Sequence, residues 1–154
     1  MRLPSTALTR SAGWLAVAFG AIHTVVAPLD DRDAWSEIFD QGLWNTISLD
    51  VTPANLAYSE AFWVAPGSFG VPMLLIGGLV LWAVRRGERI PARFGWVMAV
   101  WGAVLAVLLP VSPAWAVLLI GVLLVAAAYA PDEDARGARA ARAGRAGRAG
   151  RAGR

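Results

Sequence analysis

Four long stretches without a single charged side chain constrain this sequence more than any other feature. They cover residues 12–29, 61–84, 94–111 and 114–130. A helix needs about 20 mostly apolar residues to cross the hydrocarbon core of a bilayer, within a range of about 17–25. Because a lone strand cannot satisfy its backbone hydrogen bonds in lipid, each stretch is expected to be helical. The sequence therefore predicts an all-α integral membrane four-helix bundle that runs up, down, up and down.

The composition favours a membrane protein over a soluble domain. Only 16% of the residues are charged and 57% are hydrophobic, whereas soluble domains contain about 25% charged residues. The sequence contains no Cys, which excludes disulfides, thiolate metal ligands and a cysteine nucleophile.

The loops differ in charge, and this difference predicts the orientation. The segment between the first two spans contains one basic residue, Arg32, and seven acidic residues. The other thirteen Arg lie before span one, between spans two and three, or after span four. The positive-inside rule then places both termini in the cytoplasm.

Tryptophan positions agree with these spans. Five Trp lie near predicted span ends, where an amphipathic ring favours the headgroup level; they are Trp14, Trp63, Trp82, Trp96 and Trp115. Trp101 lies deeper in span three and is expected to pack between helices.

A cleaved signal peptide is a competing interpretation of the first span. Arg2 and Arg10 would form its basic region, and the small residues 25–27 would offer a cleavage site. The apolar stretch is longer than in most signal peptides, and Pro28 would follow the cut directly. We therefore favour a first span that is retained.

Residues 30–60 are predicted to form a longer outer loop that contains a short amphipathic helix. Five apolar residues share one helical face; they are Trp35, Ile38, Phe39, Leu43 and Ile47. Asp33 is expected to cap this helix, and Thr52 with Pro53 to begin a second helix that continues into span two. The loop either covers the outer ends of the spans or serves as a lid or docking surface for a partner.

His23 is the only ionisable residue within a predicted span. Such a residue is costly in lipid and normally faces the bundle interior or a cavity. Gly13, Ala16 and Gly20 lie at helical spacings from His23, and small residues allow close helix contact. Because histidine titrates near neutral pH, His23 is either a proton or ligand site or a neutral, hydrogen-bonded packing residue.

Span two supplies the expected neighbours of His23. Two prolines and two glycines surround Ser68 within residues 66–72. The prolines remove backbone donors, which predicts an irregular segment that faces protein or a wet cavity. In antiparallel spans, Ser68 lies about 10 Å below the outer edge, level with His23, with Glu60 at the mouth. We predict a ligand or proton site made of His23, Ser68 and Glu60, and a kinked packing site is the alternative.

The sequence predicts no catalytic residues, no cofactor and no metal ion. Ser68 has no nucleophile-elbow context, and Glu60 is several turns away from it. A single His excludes a haem held by two imidazoles, and no set of ligands at metal-binding spacing lies within the spans. The acidic cluster at 132–134 is expected to be solvated.

The end of the sequence is predicted to be a disordered cytoplasmic tail, residues 132–154, that follows a membrane domain at 1–131. Its Arg-Ala-Gly triplets do not match a helical period, and frequent Gly weakens a helix. Its seven Arg are expected to attract anionic lipids of the inner leaflet. Because no aromatic residue is interleaved for base stacking, no nucleic acid is expected as a partner.

Three segments, 13–29, 61–91 and 94–102, carry a resemblance to a known family. Their pattern is a Gly-rich first span with one His, an aromatic pair shortly before Gly67, and an Arg-Gly…Pro loop that ends at Pro91. They resemble a family of small four-span integral membrane proteins of unknown function from high-GC bacteria. The resemblance implies the four-span fold and a bacterial cell membrane, and it implies no activity.

Together these features favour a multi-pass membrane protein with a non-catalytic binding or accessory role. The alternative is a small proton-coupled transporter that acts as an oligomer, with His23 as the titrating group. An enzyme acting on a lipid or quinone, with His23 as the base, would lack a second catalytic group. The expected partners are membrane lipids, a second copy of the chain or another membrane protein.

Overall fold

The structure, a computed structural model, describes residues 5–130, and these residues form six α-helices and no strand. The helices are α1 (Ser5–Asp30), α2 (Arg32–Asp40), α3 (Leu56–Val64), α4 (Gly70–Arg85), α5 (Ala92–Leu108) and α6 (Trp115–Tyr129). The all-α prediction is confirmed. The predicted tail at 132–154 lies outside the described residues.

The four longer helices α1, α4, α5 and α6 lie side by side in alternating directions. α1 packs against α4 and α6, and α6 packs against α5. The start of α1, the end of α4, the start of α5 and the end of α6 border one cavity of about 630 Å³. These four ends therefore meet at the same end of the bundle, which is the up-down-up-down order. A common core joins all four helices and includes Phe19, Met73, Met98 and Ile120.

Glycines allow two of the helix pairs to approach backbone to backbone. A Cβ added to Gly20 in α1 would lie 2.6 Å from the carbonyl oxygen of Gly70 in α4. A Cβ added to Gly95 in α5 would lie 2.7 Å from the backbone nitrogen of Val125 in α6. Real Cβ atoms essentially never come closer than 3.0 Å to such atoms, so both interfaces require glycine.

Many of the buried residues are alanines, and many large apolar side chains face outward. Ala12, Ala16 and other alanines are buried between helices. On the outer surface, Leu75 is 64% exposed and Val97 is 68% exposed. Many of the largest apolar side chains of these helices are therefore exposed rather than buried.

By length and composition, one helix in residues 5–130 is fit to cross a membrane, and that helix is α1. It begins at Ser5 rather than at the predicted residue 12. The apolar helices α4, α5 and α6 are shorter, with 16, 17 and 15 residues. Core helices of soluble proteins and signal sequences pass the same test, so the four-span membrane bundle stays a prediction.

The predicted span 61–84 is not one continuous helix, because a turn at residues 65–69 separates α3 from α4. Pro66 has no N–H, and the carbonyl oxygen of Phe62 instead accepts a 2.8 Å hydrogen bond from the Gly67 N–H. Gly67 therefore replaces the i+4 donor that Pro66 lacks. Pro72 lies in the first turn of α4, where a missing N–H breaks no helical hydrogen bond.

The outer segment contains α2, which buries Ile38 and exposes its acidic side chains. The helix begins at Arg32 after Asp31 and has no side-chain cap, so the expected cap at Asp33 is wrong. The backbone then turns through left-handed conformations at residues 42–43, with φ of 88° and 64°. The apolar helical face predicted to continue to Ile47 therefore ends with the helix.

The second helix of the outer segment begins later than expected. The backbone N–H of Thr52 donates a 2.7 Å hydrogen bond to Oδ1 of Asn55, within a turn that precedes α3. α3 then begins at Leu56 and ends at Val64. Neither the predicted start at Pro53 nor the predicted continuity with span two is found.

Candidate functional site

His23 and Ser68 meet where α1 passes the turn between α3 and α4. Nε2 of His23 lies 3.0 Å from Oγ of Ser68. According to the tautomer, either the Ser68 hydroxyl donates to Nε2 or a protonated Nε2 donates to the hydroxyl oxygen. The contact joins a residue within α1 to the turn at residues 65–69. The sequence predicted an irregular segment around Ser68.

The tight glycine contacts of α1 and α4 position this pair. A Cβ on Gly70 would lie 2.6 Å from Oγ1 of Thr24 and 3.1 Å from Cδ2 of His23. The hydroxyl of Thr24 donates a 2.7 Å hydrogen bond back to the carbonyl oxygen of Gly20. The Thr24 hydroxyl therefore bonds within its own helix, and the partner of the His23 ring is Ser68.

Two phenylalanine rings orient the imidazole. The His23 ring is stacked on Phe69, with centroids 5.1 Å apart and an interplanar angle of 8°. It is also stacked on Phe19, with a centroid distance of 5.9 Å and an angle of 16°. Trp101 from α5 meets Phe69 edge to face at 5.9 Å. Because parallel rings restrict rotation of the imidazole, they hold Nε2 toward Ser68.

The site is apolar apart from the His23–Ser68 pair, and it is not sealed. His23, Ser68 and Phe69 are each half-buried. A hydrogen bond is electrostatically stronger among aromatic rings than in water, because the local dielectric constant is lower. The pair is therefore both reachable and sensitive to a change in charge at His23.

Glu60 lies apart from this pair. It is exposed on α3, and within residues 5–130 it makes no hydrogen bond or ion pair. The turn at residues 65–69 separates its helix from Ser68. The structure therefore brings together two of the three predicted site residues, and the role of all three in binding a ligand or proton stays a prediction.

The arrangement provides one hydrogen bond at Nε2 of His23, to the Ser68 hydroxyl. A serine hydrolase needs a third group that orients its histidine. In the part of the chain that the structure describes, no carboxylate bonds to His23. Within the same residues, no group of three or more His, Asp or Glu side chains is placed to hold a metal ion.

Sequence reasoning missed the aromatic members of the site. Phe19 precedes His23 by four residues, and this spacing places both side chains on one face of a helix. Phe69 is the direct neighbour of Ser68. The signal for Phe19 was therefore present in the sequence, whereas the stacking of Phe69 depends on the turn that precedes α4.

Comparison with known protein families assigns this chain to a family. A family model described as a family of unknown function, DUF6463, matches residues 7–131. The chain belongs to the DUF6463 family. The match includes His23 and Ser68, and it confirms the resemblance to a family of unknown function. No curated protein and no solved structure matches the chain. The bacterial source and four-span character attributed to the family stay predictions.

Proposed function

We propose that this DUF6463 protein is a four-span protein of the bacterial cell membrane with a non-catalytic binding or accessory role. The supporting observation is the outward placement of large apolar side chains over a core rich in Ala and Gly. Contiguous apolar patches on soluble monomers rarely exceed a few hundred Å². In lipid, by contrast, small residues at helix contacts and large apolar residues outside are the expected arrangement.

The length of the uncharged part of α1 suits a bilayer. Nineteen residues separate Arg10 from Asp30, and at the rise of a helix they extend about 28 Å. The hydrocarbon core is about 30 Å thick. α4, α5 and α6 extend about 24, 26 and 22 Å, and apolar residues flank them at 109–111 and 130. The turn at 65–69 lies against α1 through Ser68, as backbone outside a helix requires at membrane depth.

The tryptophans support the same environment. Trp14, Trp63, Trp82, Trp96 and Trp115 are each between 52% and 55% exposed. A ring that is half packed and half free can extend from the bundle toward the headgroups, where its N–H finds polar partners.

The charge distribution supports cytoplasmic termini. Arg85, Arg86, Arg89 and Arg93 are exposed at the end of the bundle where α1 begins. The acidic outer segment leaves α1 at the opposite end. We therefore place residue 5 and residue 130 on the cytoplasmic side.

Single cysteines test this topology, because the native sequence contains none. We expect a membrane-impermeant maleimide to label Leu49→Cys in intact cells and Glu88→Cys only after lysis. The two native side chains lie in exposed segments at opposite ends of the bundle. Equal labelling of both variants, or protein that stays soluble without detergent after ultracentrifugation, would contradict the proposal.

The binding role rests on the outer segment. Trp44 is 91% exposed and Leu49 is 89% exposed, both outside the helices. Large apolar side chains exposed in this way are typical of a surface that meets a partner or a membrane. The proposed partners are membrane lipids, a second copy of the chain or another membrane protein. The Arg-rich tail, outside the described residues, adds contact with anionic lipids.

Native mass spectrometry in mild detergent tests the outer segment as a docking surface. The double variant Trp44→Ser, Leu49→Ser is expected to lose bound protein mass relative to the native chain. Val111→Ser, which removes an equally exposed apolar side chain from another turn, is the control. An unchanged mass in the double variant would reject this role for the outer segment.

A proton-coupled transporter that acts as an oligomer is the second candidate, and the contact between His23 and Ser68 favours it. Where the Ser68 hydroxyl donates to Nε2 of the neutral ring, protonation makes Nε2 a donor and reverses this hydrogen bond. Because Ser68 lies in the break between α3 and α4, this reversal acts on the least regular part of the bundle. Charge at His23 can thereby be linked to a change in helix packing.

Proteoliposomes with an internal pH-sensitive dye test this candidate. We expect His23→Ala to abolish proton flux, and Ser11→Ala, which changes an exposed residue of the same helix, to preserve it. His23→Gln keeps a hydrogen-bonding group but cannot titrate, so it separates packing from proton transfer. Full flux in His23→Gln would reject the transport role of His23.

A further inference from the structure

A second cavity lies at the outer end of α1, beside the candidate site. Its volume is about 550 Å³, and it is bordered by α1, by α2 and by Pro66 of the turn at 65–69. α1 contributes Thr24 and Pro28, which lie one turn apart on one helix face. Because the Thr24 hydroxyl donates to the Gly20 carbonyl oxygen, it is not available as a donor to a ligand in the cavity.

One face of α2 forms the opposite wall. Arg32, Trp35, Ser36 and Phe39 follow the spacing of a helical face, and all four border the cavity. The other face of α2 buries Ile38 against the protein. An open apolar cavity therefore separates this face of α2 from α1. Phe39 remains exposed on its wall, although burial of the ring would remove apolar surface from water.

Arg32 stands at the polar edge of this cavity. It is the only basic residue of the outer segment and is exposed. Asp31 and Asp33 flank it in the sequence, yet Arg32 makes no ion pair or hydrogen bond within residues 5–130. A guanidinium group without a partner matches the geometry of a phosphate group.

The carboxylates nearby define which phosphate-bearing group fits. An anionic headgroup would bind Arg32 and also be repelled by the acidic residues around it. A zwitterionic headgroup places its phosphate on Arg32 and its ammonium group among the carboxylates, so both charges are matched.

The depth of the cavity fits an acyl chain below such a headgroup. Thr24 lies about 9 Å below the end of α1 at Asp30, at the rise of a helix. In the proposed orientation, the cavity therefore extends from headgroup level into the outer hydrocarbon layer, with Arg32 at its polar end.

From these contacts we propose that the cavity binds a zwitterionic phospholipid, for which phosphatidylethanolamine is the probe. One acyl chain lies between α1, α2 and Pro66, the phosphate binds Arg32, and the ammonium group lies near the acidic residues that flank it. This lipid site rests on the proposed membrane location and names the lipid that the outer segment binds.

Native mass spectrometry of the full chain tests the lipid site. The delipidated protein is titrated in mild detergent with phosphatidylethanolamine or with phosphatidylglycerol of the same acyl chains. We expect one molecule of phosphatidylethanolamine to bind, with an affinity about tenfold higher than that of phosphatidylglycerol. Equal affinity for the two lipids, or a preference for phosphatidylglycerol, would overturn the proposal.

Arg32, the first residue of α2, supplies the variant, and Arg10, in the second turn of α1, supplies its control. Arg32→Gln is expected to lower the affinity for phosphatidylethanolamine about tenfold, and Arg10→Gln, which removes an exposed charge outside the cavity, to leave it unchanged. Ser36→Phe fills the cavity and is expected to exclude both lipids. Equal binding by Arg32→Gln and Arg10→Gln, or lipid retained by Ser36→Phe, would overturn the site.

The cysteine-labelling experiment distinguishes failure of the lipid site from failure of the proposed function. If Leu49→Cys is labelled from outside and Glu88→Cys is not, the membrane location holds, and unchanged lipid binding in Arg32→Gln rejects the lipid site alone. If the labelling pattern fails, the membrane location itself is rejected and the lipid site with it.

Discussion

The two antiparallel helix pairs, α1–α4 and α5–α6, use glycine in the same way but differ in polarity. In α5–α6, a Cβ added to Gly102 or Gly121 would meet the backbone of the facing helix. In the outer half of α1–α4, a Cβ added to Gly70 would meet the side chains of Thr24 and His23. At Gly102 and Gly121 the first contact is backbone against backbone, whereas the second includes the hydrogen-bonded pair His23 and Ser68.

The α5–α6 pair therefore consists of packing contacts, whereas the α1–α4 pair contains the candidate site. α5 and α6 are uninterrupted helices, and their interface is apolar. The segment that faces His23 is broken at residues 65–69, and Ser68 lies in the break. The polar pair of this apolar bundle is thus found where the helical regularity of the neighbouring segment ends.

The largest expected effect is a collision in the α5–α6 pair. Gly102→Leu places a side chain against the backbone of Leu118, which cannot move without separating the two helices. We expect a loss of about 3 kcal/mol in the free energy of unfolding, the upper end for overpacking. The fraction of monodisperse protein that remains after heating in detergent measures this loss.

Gly78→Leu is the matched control for that variant. An added Cβ at Gly78 meets no atom within 4 Å, so the change is expected to leave the thermal stability close to native. Equal losses for Gly102→Leu and Gly78→Leu would show that close backbone contact does not stabilise the α5–α6 pair.

A smaller effect is expected from Gly70→Ala in the α1–α4 pair. The new methyl group would press on the Thr24 hydroxyl and the His23 ring, which are side chains that can shift. We expect a loss of about 1–2 kcal/mol and a displaced imidazole. Because the chain contains one His, nitrogen NMR of labelled histidine reports His23 alone. An unchanged His23 signal would contradict this close contact, and Gly78→Ala is the control.

The hydrogen bond itself is expected to contribute less. Ser68→Ala removes the partner of His23 Nε2, and a typical intramolecular hydrogen bond stabilises a fold by about 1 kcal/mol. The melting temperature in detergent and the His23 NMR signal are both expected to change. Ser11→Ala, an exposed change on the same helix, should alter neither. A native-like His23 signal in Ser68→Ala would rule out this hydrogen bond.

The smallest effect lies outside both pairs, in the outer segment. A hydrogen bond with the Glu37 carboxylate raises the pKa of Tyr58 above its ordinary value of 10.0. The folded state therefore favours the protonated phenol of Tyr58. The resulting contribution to the free energy of unfolding is fully present below the pKa of Tyr58 in the unfolded chain, and it is lost as the pH rises through the pKa of Tyr58 in the folded chain. Glu37→Gln is expected to lower the pKa of Tyr58 toward 10.0.

Absorbance titration of the phenolate measures this pKa, with Tyr58→Phe identifying the signal of Tyr58 against that of Tyr129. Asp40→Asn removes a neighbouring charge of α2 without removing the hydrogen-bond partner, and it serves as the control. A pKa that falls equally in Asp40→Asn and Glu37→Gln would assign the shift to general charge rather than to the bond with Glu37.

Much of the helical framework was predictable from the sequence because it depends on local properties. Runs of apolar residues without charge located α5 and α6 closely, whereas α1 begins at Ser5 rather than at residue 12 and α4 at Gly70 rather than at residue 61. The level of Ser68 relative to His23 followed from the rise of two antiparallel helices. The turn before α4 was predicted as an irregularity around Pro66, but not as an end to α3. Its hydrogen bond from Gly67 to Phe62 depends on how the chain folds back.

The grouping of site residues was only partly predictable. Glu60 was expected at the mouth of the site because the helix was predicted to run from Pro53 into span two without a break. The break leaves Glu60 exposed on α3, while Ser68 contacts His23. The place of Phe19 in the site could be predicted from its spacing to His23. That of Phe69 could not, since the orientation of its ring depends on the turn at residues 65–69.

The sequence by itself determined that the described chain is helical, where its long apolar helices lie, and that its charges collect at opposite ends. These properties follow from the composition of short segments and from the geometry of a single helix. The tertiary structure alone decided that α1 packs between α4 and α6, that Ser68 rather than Glu60 reaches His23, and that α2 stands over an open cavity. Such contacts join residues distant in sequence, and they depend on which helix faces approach closely enough for glycine to be required.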